Sequence, residues 1–280
     1  MFKALIPLAA LIFATPLAAQ AGGDPALDPA CPQADLATPR KPGSVCIGRL
    51  NEIYAFSFVY PREAAQIPAL DARLRDEALR AEVRFEGVVE QVHAQSQGEE
   101  PPPLMYYEAG WQVDANLPEL LALSGTSGTY TGGAHGSIQY HAILFDRRRN
   151  RPIAVSDIFT IGAFEHNLLG QRPVGEGAVQ RAFCRALRDA VRERRNGATI
   201  DLDCPEALSV PITLLCSDRG RIESMRALIA PYVVGPYAEG PYEIDFPVDA
   251  LMMAAIRRRF RPAFSIPLEN RPRRLAEPCR

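Results

Sequence analysis

From Ile67 to Val92, apolar residues return in steps of three and four: Ile67, Leu70, Leu74, Ala78, Ala81, Phe85, Val88 and Val92. That period belongs to an amphipathic helix of about seven turns. A helix so long with a single apolar stripe must lay that stripe on another element, and the residues just before it supply one. Within "IYAFSFVYP", Tyr54, Phe56, Phe58 and Tyr60 alternate at period two, and Pro61 ends the run, as in a strand with one buried aromatic face.

After the linker "SQGEEPPP" come "LMYYEAGWQV", "ELLALSGTSGTY" and "SIQYHAILFD", joined by short connections that imply an antiparallel meander. The turn "DRRRNRP" then leads to a short strand, "IAVSDIF", where Ser156 or Asp157 can cap a helical turn. A second helix is expected over "GAVQRAFCRALRDAVRERRNG", with Val179, Phe183, Ala186, Leu187, Ala190 and Val191 inward. Arg192, Arg194 and Arg195 meet the carbonyl end of its dipole, and Gly197 stops it. Two more strands, "VPITLLCSD" and "RIESMRALI", precede "APYVVGPYAEGPYEIDFP", and a short helix, "DALMMAAIRRRF", closes the core. Strands and helices come in blocks, so the fold class is α+β: a largely antiparallel sheet packed by one long and two shorter helices.

The chain opens with one early lysine, an apolar run from Ala4 to Ala19 broken by Pro7 and Pro16, and the small residues Ala19 and Ala21 around Gln20. This is the pattern of a cleavable signal peptide over residues 1–21, with a mature chain that holds no integral membrane span and is released into the periplasm. Residues 22–48, rich in Pro, Ala and Asp without an apolar period, read as an extended arm. Residues 49–157 form an N-terminal βαβββ half and 158–280 a C-terminal half with a basic tail, the two making one compact unit. The six cysteines of an exported chain read as disulfides, and proximity pairs Cys31 with Cys46, Cys184 with Cys204 and Cys216 with Cys279. None of them forms a C-x-x-C, so neither a thioredoxin-like centre nor a zinc ribbon is indicated. A formal net charge of −2 gives no reason to expect nucleic acid, and the basic runs "IRRRFRP" and "ENRPRR" read as a solvated helix end and tail.

"YTGGAHGSIQYH" has the look of an active site, with two histidines among glycines and tyrosines. His135 and His141 are six residues apart, which on a strand places them about 20 Å from each other, too far to share an ion. His93, late in the long helix, and His166, at an element end, read as ordinary histidines. Ser124 or Ser127 with His135 as base would be the hydrolytic reading of "GTSGTYTGG", but neither G-x-S-x-G nor S-x-x-K is present, and turn chemistry accounts for the glycines. Glu108, Asp114 and Glu119 near Trp111 could line a groove for glycoside chemistry, a requirement too loose for sequence to decide. No catalytic residue, cofactor or metal is therefore assigned.

In "PYVVGPYAEGPY", Pro-Tyr returns every five residues, displaying Tyr232, Tyr237 and Tyr242 on a loop stiffened by proline and bent at glycine. Rigid tyrosines suit binding of a protein or a sugar, though they can equally pack inward over a sheet edge.

These segments, "YTGGAHGSIQYHAILFD", "PIAVSDIF" and "IAPYVVGPYAEGPYEIDFPVDAL", resemble the extracytoplasmic domain of RsiV-type anti-sigma factors and the non-catalytic N-terminal region of PdaC-type peptidoglycan deacetylases, a domain of unknown function. The likeness runs from about Ile53 to Phe260. In the anti-sigma factors such a domain recognises lysozyme outside the membrane; in the deacetylases it accompanies an enzyme of peptidoglycan. The chain carries neither the sigma-binding segment and anchor of the one nor the deacetylase domain of the other, so recognition is what the resemblance implies here. The expected partner is a lysozyme-like protein or peptidoglycan glycan, with Tyr130, Thr131, Gly132, Gly133, His135, Tyr232, Tyr237 and Tyr242 as candidate contacts. The competing expectations are a hydrolase of a cell-wall polymer using Glu108, Asp114 or His135, and a structural envelope protein.

Overall fold

The computed structural model describes residues 42–96, 104–160, 162–164, 177–197 and 202–268. The signal peptide, most of the arm, His166 and the basic tail lie outside the described residues, as do Cys31 and Cys279.

The chain is α+β, and its strands form two sheets. Six strands order as β1 (Val45–Leu50), β2 (Tyr54–Tyr60), β3 (Met105–Asn116), β4 (Leu120–Tyr130), β5 (Ser137–Asp146) and β6 (Arg151–Ile153). Neighbours are antiparallel except β2 and β3, which run parallel. That one parallel pair follows from the crossover between them, the short helix α1 (Arg62–Ala65) and the long helix α2 (Pro68–Gln95). Three further strands, β7 (Ile212–Cys216), β8 (Ile222–Ile229) and β9 (Tyr242–Pro247), make an antiparallel sheet of their own. Helix α3 (Ala178–Arg194) lies along β9, and β7 crosses β3, β4 and β5 of the larger sheet.

Pro68 sits in the first turn of α2, where its missing N–H costs nothing, and Asp71 places a carboxylate at the positive end of the dipole. Two hydroxyls fasten this helix to β2: Tyr60 donates to Asp71 at 2.5 Å and Tyr54 to Glu86 at 2.6 Å. Because the later strand residue meets the earlier helical one, α2 runs antiparallel to β2. Burial, together with the Glu86 carboxylate, pushes the Tyr54 phenol up to about 12. Along the stripe, Leu70, Leu74, Ala78, Ala81 and Phe85 are buried as their spacing predicts, but the next buried residue is Val89, and Val88 is exposed. The step after Phe85 is four rather than three, which keeps the stripe in phase with a 3.6-residue turn.

The central strands bury both faces. On β4, Leu121 and Leu123 join Tyr54, Phe56, Phe58, Tyr60 and Phe145 beneath α2, while Leu120 and Ala122 join the opposite core with Leu144, α3 and the smaller sheet. Gly125 lets the indole of Trp111 lie across β4 beneath α2 and approach the His141 ring, 5.9 Å between centroids.

Other expectations change in detail. Val45–Leu50, mostly assigned to the arm, is an edge strand whose Val45 and Ile47 pack on the aromatic core and whose Arg49 reaches Glu82 and Glu86 of α2. "IAVSDIF" contributes only the end of β6; a helical turn at Val155–Asp157 follows, capped as Asp157 accepts the Ala154 N–H at 3.0 Å. The last helix, α4 (Ala250–Ala255), is capped by Asp249, which accepts from the Met252 N–H at 2.8 Å, and it ends before the arginine run. Cys184 and Cys204 are bridged as expected. Cys46 and Cys216 are also disulfide-bonded, and the pairings expected for them with Cys31 and Cys279 lie outside the described residues.

A Cβ at position 125 would stand 2.7 Å from two carbons of the Trp111 ring. Gly125→Ala is therefore expected to lower stability by about 1–3 kcal/mol through overpacking. Urea denaturation checks this as a reduced midpoint at unchanged slope, together with an altered near-ultraviolet signal from the single tryptophan.

Candidate functional site

The β4–β5 hairpin pairs as far as Thr129 opposite Ser137, leaving Tyr130 to Gly136 to turn the chain. Gly132 and Gly133 take φ values of 92° and 108°, which a side chain would disfavour, so this turn requires its glycine pair. Tyr130 stacks on Tyr106 of β3, 5.7 Å between centroids, and donates to the Gly133 carbonyl at 3.2 Å. The tip is thereby braced from below, with His135 exposed at its end.

The second candidate segment connects β8 to β9 and is held by the end of α3. Arg195 grips Glu239 with two nitrogens, at 2.7 and 2.9 Å, and also reaches the Val234 carbonyl. Arg194 donates to the carbonyls of Glu239 and Pro241 and lies over the Tyr242 ring at 3.7 Å. Tyr242 donates to Glu239 at 2.8 Å. Arg195 holds the Glu239 carboxyl below its ordinary range, while burial, and then that carboxylate, push the Tyr242 phenol up. A side chain at Gly235 would collide with Glu239, which explains glycine there. The arginines expected only to complement a helix dipole thus latch the loop.

Latched this way, the loop meets the hairpin tip. The Tyr237 and His135 rings stack at 3.9 Å, inclined by 19°, and the Tyr237 hydroxyl donates to the Gly136 carbonyl at 3.1 Å. Tyr232 lies 5.7 Å from Tyr237, with its hydroxyl 3.5 Å from His135 Nε2. Tyr232 is 66% exposed and has a φ of 72°, a conformation otherwise found, among described non-glycine residues, only at Asn150 and Asn196. Holding a tyrosine in that region costs about 1–3 kcal/mol, and such strain concentrates at sites of interaction. Tyr130, Thr131, Gly132, Gly133, His135, Tyr232 and Tyr237 consequently gather at one end of the molecule. Tyr242 is the exception: it is 2% exposed, so it anchors the loop rather than presenting a face.

The residues considered for hydrolysis do not assemble as the sequence suggested. His135 stacks on Tyr237, away from both serines; Ser127 Oγ lies 2.9 Å from Nε2 of His141 instead. Burial lowers the His141 pKa, and Ser127 is itself buried. Ser124 accepts from Gln112 and donates to Asp114. Glu108 and Asp114 are six residues apart on β3, about 20 Å, against the roughly 5–10 Å that separates paired glycosidase carboxylates. Glu119 pairs with Arg148 at the β5–β6 turn, and Trp111 faces the α2 core. Among the described residues no group of three His, Cys, Asp or Glu is placed to hold a metal ion. No described helix is long and apolar enough to cross a membrane.

No family model matches the chain, and no curated protein matches it. Solved structures similar to it include two DUF3298 proteins. One is a DUF3298 family member from Bacteroides fragilis, 17% identical with a TM-score of 0.47, the match covering 78% of this chain and 93% of that one. The other is a DUF3298 family protein from Pseudomonas aeruginosa, 14% identical with a TM-score of 0.45, covering 77% and 93%.

The latch makes a direct prediction. Arg195→Ala should raise amide exchange across Val233–Gly240 by about tenfold or more while β8 stays protected, and Arg195→Lys should recover only part of the protection because ammonium cannot fork a carboxylate. Exchange monitored by mass spectrometry at peptide resolution checks both.

Proposed function

We propose that this chain is an exported, non-catalytic binding module of the periplasm that recognises a lysozyme-like protein through the surface made by Tyr232, Tyr237 and His135. The observation that carries the reading is the 3.9 Å stack of His135 on Tyr237, which unites two distant segments around a strained and exposed Tyr232. A surface already ordered before contact loses little entropy on binding, and tyrosine and histidine offer large flat areas with polar rims. The Cys184–Cys204 bridge supports an oxidising compartment. The resemblance to lysozyme-recognising and peptidoglycan-associated domains supplies the class of partner.

Peptidoglycan glycan is the second reading, favoured by the exposed face of Tyr232, on which a sugar ring can stack.

Calorimetric titration of the disulfide-bonded chain, from Gly22 onward, with lysozyme and separately with sacculi tests the proposal. Saturable binding to lysozyme is expected, weakened about tenfold or more by Tyr237→Ala with an unchanged circular dichroism spectrum. Soluble muropeptides released from the sacculi, or lysozyme binding indifferent to Tyr232→Ala and Tyr237→Ala, would overturn it.

A further inference from the structure

Away from the aromatic surface, one carboxylate occupies an unusual position. Asp114 is the extra residue of a bulge in β3, where the pairing with β4 shifts between Val113 and Ala115. Its side chain lies on the face of the six-stranded sheet that meets the three-stranded one, where it accepts from the buried Thr213 hydroxyl of β7 at 2.7 Å. Ser124 of β4 donates to it as well, so this one group ties β3 and β4 to β7.

The charges facing it are unequal. Thr213, Arg226 and Asp245 stand side by side across β7, β8 and β9. Arg226 is the nearby cation, and it is already shared, forking Asp245 at 2.6 and 3.0 Å and pairing with Glu243 at 3.0 Å. From β5, Tyr140 faces Glu243 and Arg194, the latter committed to the Tyr242 ring and two carbonyls. With Asp114 ionised, three carboxylates compete for the largely buried Arg226, Asp245 and the half-exposed Glu243 already holding it; with Asp114 protonated, Arg226 balances its own strand neighbours and the Thr213 contact stays a neutral hydrogen bond.

We propose that Asp114 is an acid-responsive latch between the two sheets: protonated, it holds β7 against β3 and β4, and ionised, it loosens that joint. Burial first, and then the Glu243 charge, push its carboxyl up to about 6, against the pull of Thr213, Ser124 and Arg226. The sign follows from linkage. The folded protein keeps a proton that the unfolded chain releases near pH 3.8, so stability is greatest below that value and falls as pH rises towards about 6, by about a hundredfold in the folding equilibrium. The device is independent of the binding role proposed above.

The test is native-state amide exchange on the intact protein, corrected for intrinsic rates, combined with carbon NMR of the Asp114 carboxyl. Between about pH 5 and about pH 7.5, opening of β7 is expected to increase about tenfold or more in the wild type and to stay flat in Asp114→Asn. The carboxyl should titrate near 6. Thr213→Val, which removes a donor to the ionised form and keeps the side-chain volume, should move that midpoint upward. A midpoint below about 4.5, near the ordinary carboxylate range, would overturn the proposal, as would pH-dependent opening that persists in Asp114→Asn. If Asp114→Asn fails to fold, an unmoved midpoint in Thr213→Val overturns it equally.

Discussion

Burial of both faces of β4 and β5 is the constraint from which the other features follow. Leu120, Leu121, Ala122 and Leu123 point by turns into two separate cores, and Ile143, Leu144 and Phe145 do the same on the neighbouring strand. A sheet with two apolar faces must be covered twice. The long helix covers one side, and the three-stranded sheet with α3 covers the other. The apolar part of these strands ends before Ser124 on β4 and is reached only at Ile143 on β5; beyond it the strands carry smaller and polar residues, with Ser124 and Ser127 still buried, and run on to the exposed hairpin tip.

The aromatic surface is the far end of those same two strands. Its position therefore depends on the packed half of β4 and β5, while its internal order depends on α3, whose last turn supplies Arg194 and Arg195 to the loop. Because α3 rests on β9 and β9 begins at Tyr242, loop, helix and strand share a single anchoring point, the Arg194–Tyr242–Glu239 contact. A flexible loop of prolines and tyrosines would lose affinity to its own entropy; this one is ordered by groups that never face a partner.

Much of the fold was legible in sequence because it is written in local periodicity. The alternation of Tyr54, Phe56, Phe58 and Tyr60, the stripe of α2 and the three strands of the meander each follow from residues close to one another in the chain. Val45–Leu50 escaped because an edge strand buries only part of its side chains and so shows no alternation. The division into two sheets was not legible either, since pairing partners are set by packing rather than by pattern. At the candidate site, both segments were visible from composition, but their union was not. The stack of His135 on Tyr237 depends on how β4, β5 and α3 are arranged in space. One clue was available: Glu239 is the lone acid in the tyrosine loop, and "RERR" ends the preceding helix. The contact of Ser127 with His141 was not legible either, because it is made between neighbouring strands and the sequence drew attention to His135 instead.

The single parallel pairing, β2 with β3, bears on how the polypeptide acquires its shape. The hairpins from β3 to β6 close short loops, whereas β2 can join β3 only after the whole of α2 has been spanned, and β1 pairs with β2 alone. Short closures precede long ones, so the meander assembles first and the amino-terminal strands dock onto it last. Synthesis delivers the chain in the opposite order. Phe56, Phe58 and Tyr60 emerge early, and their aromatic faces stay uncovered in the nascent chain until β3 follows.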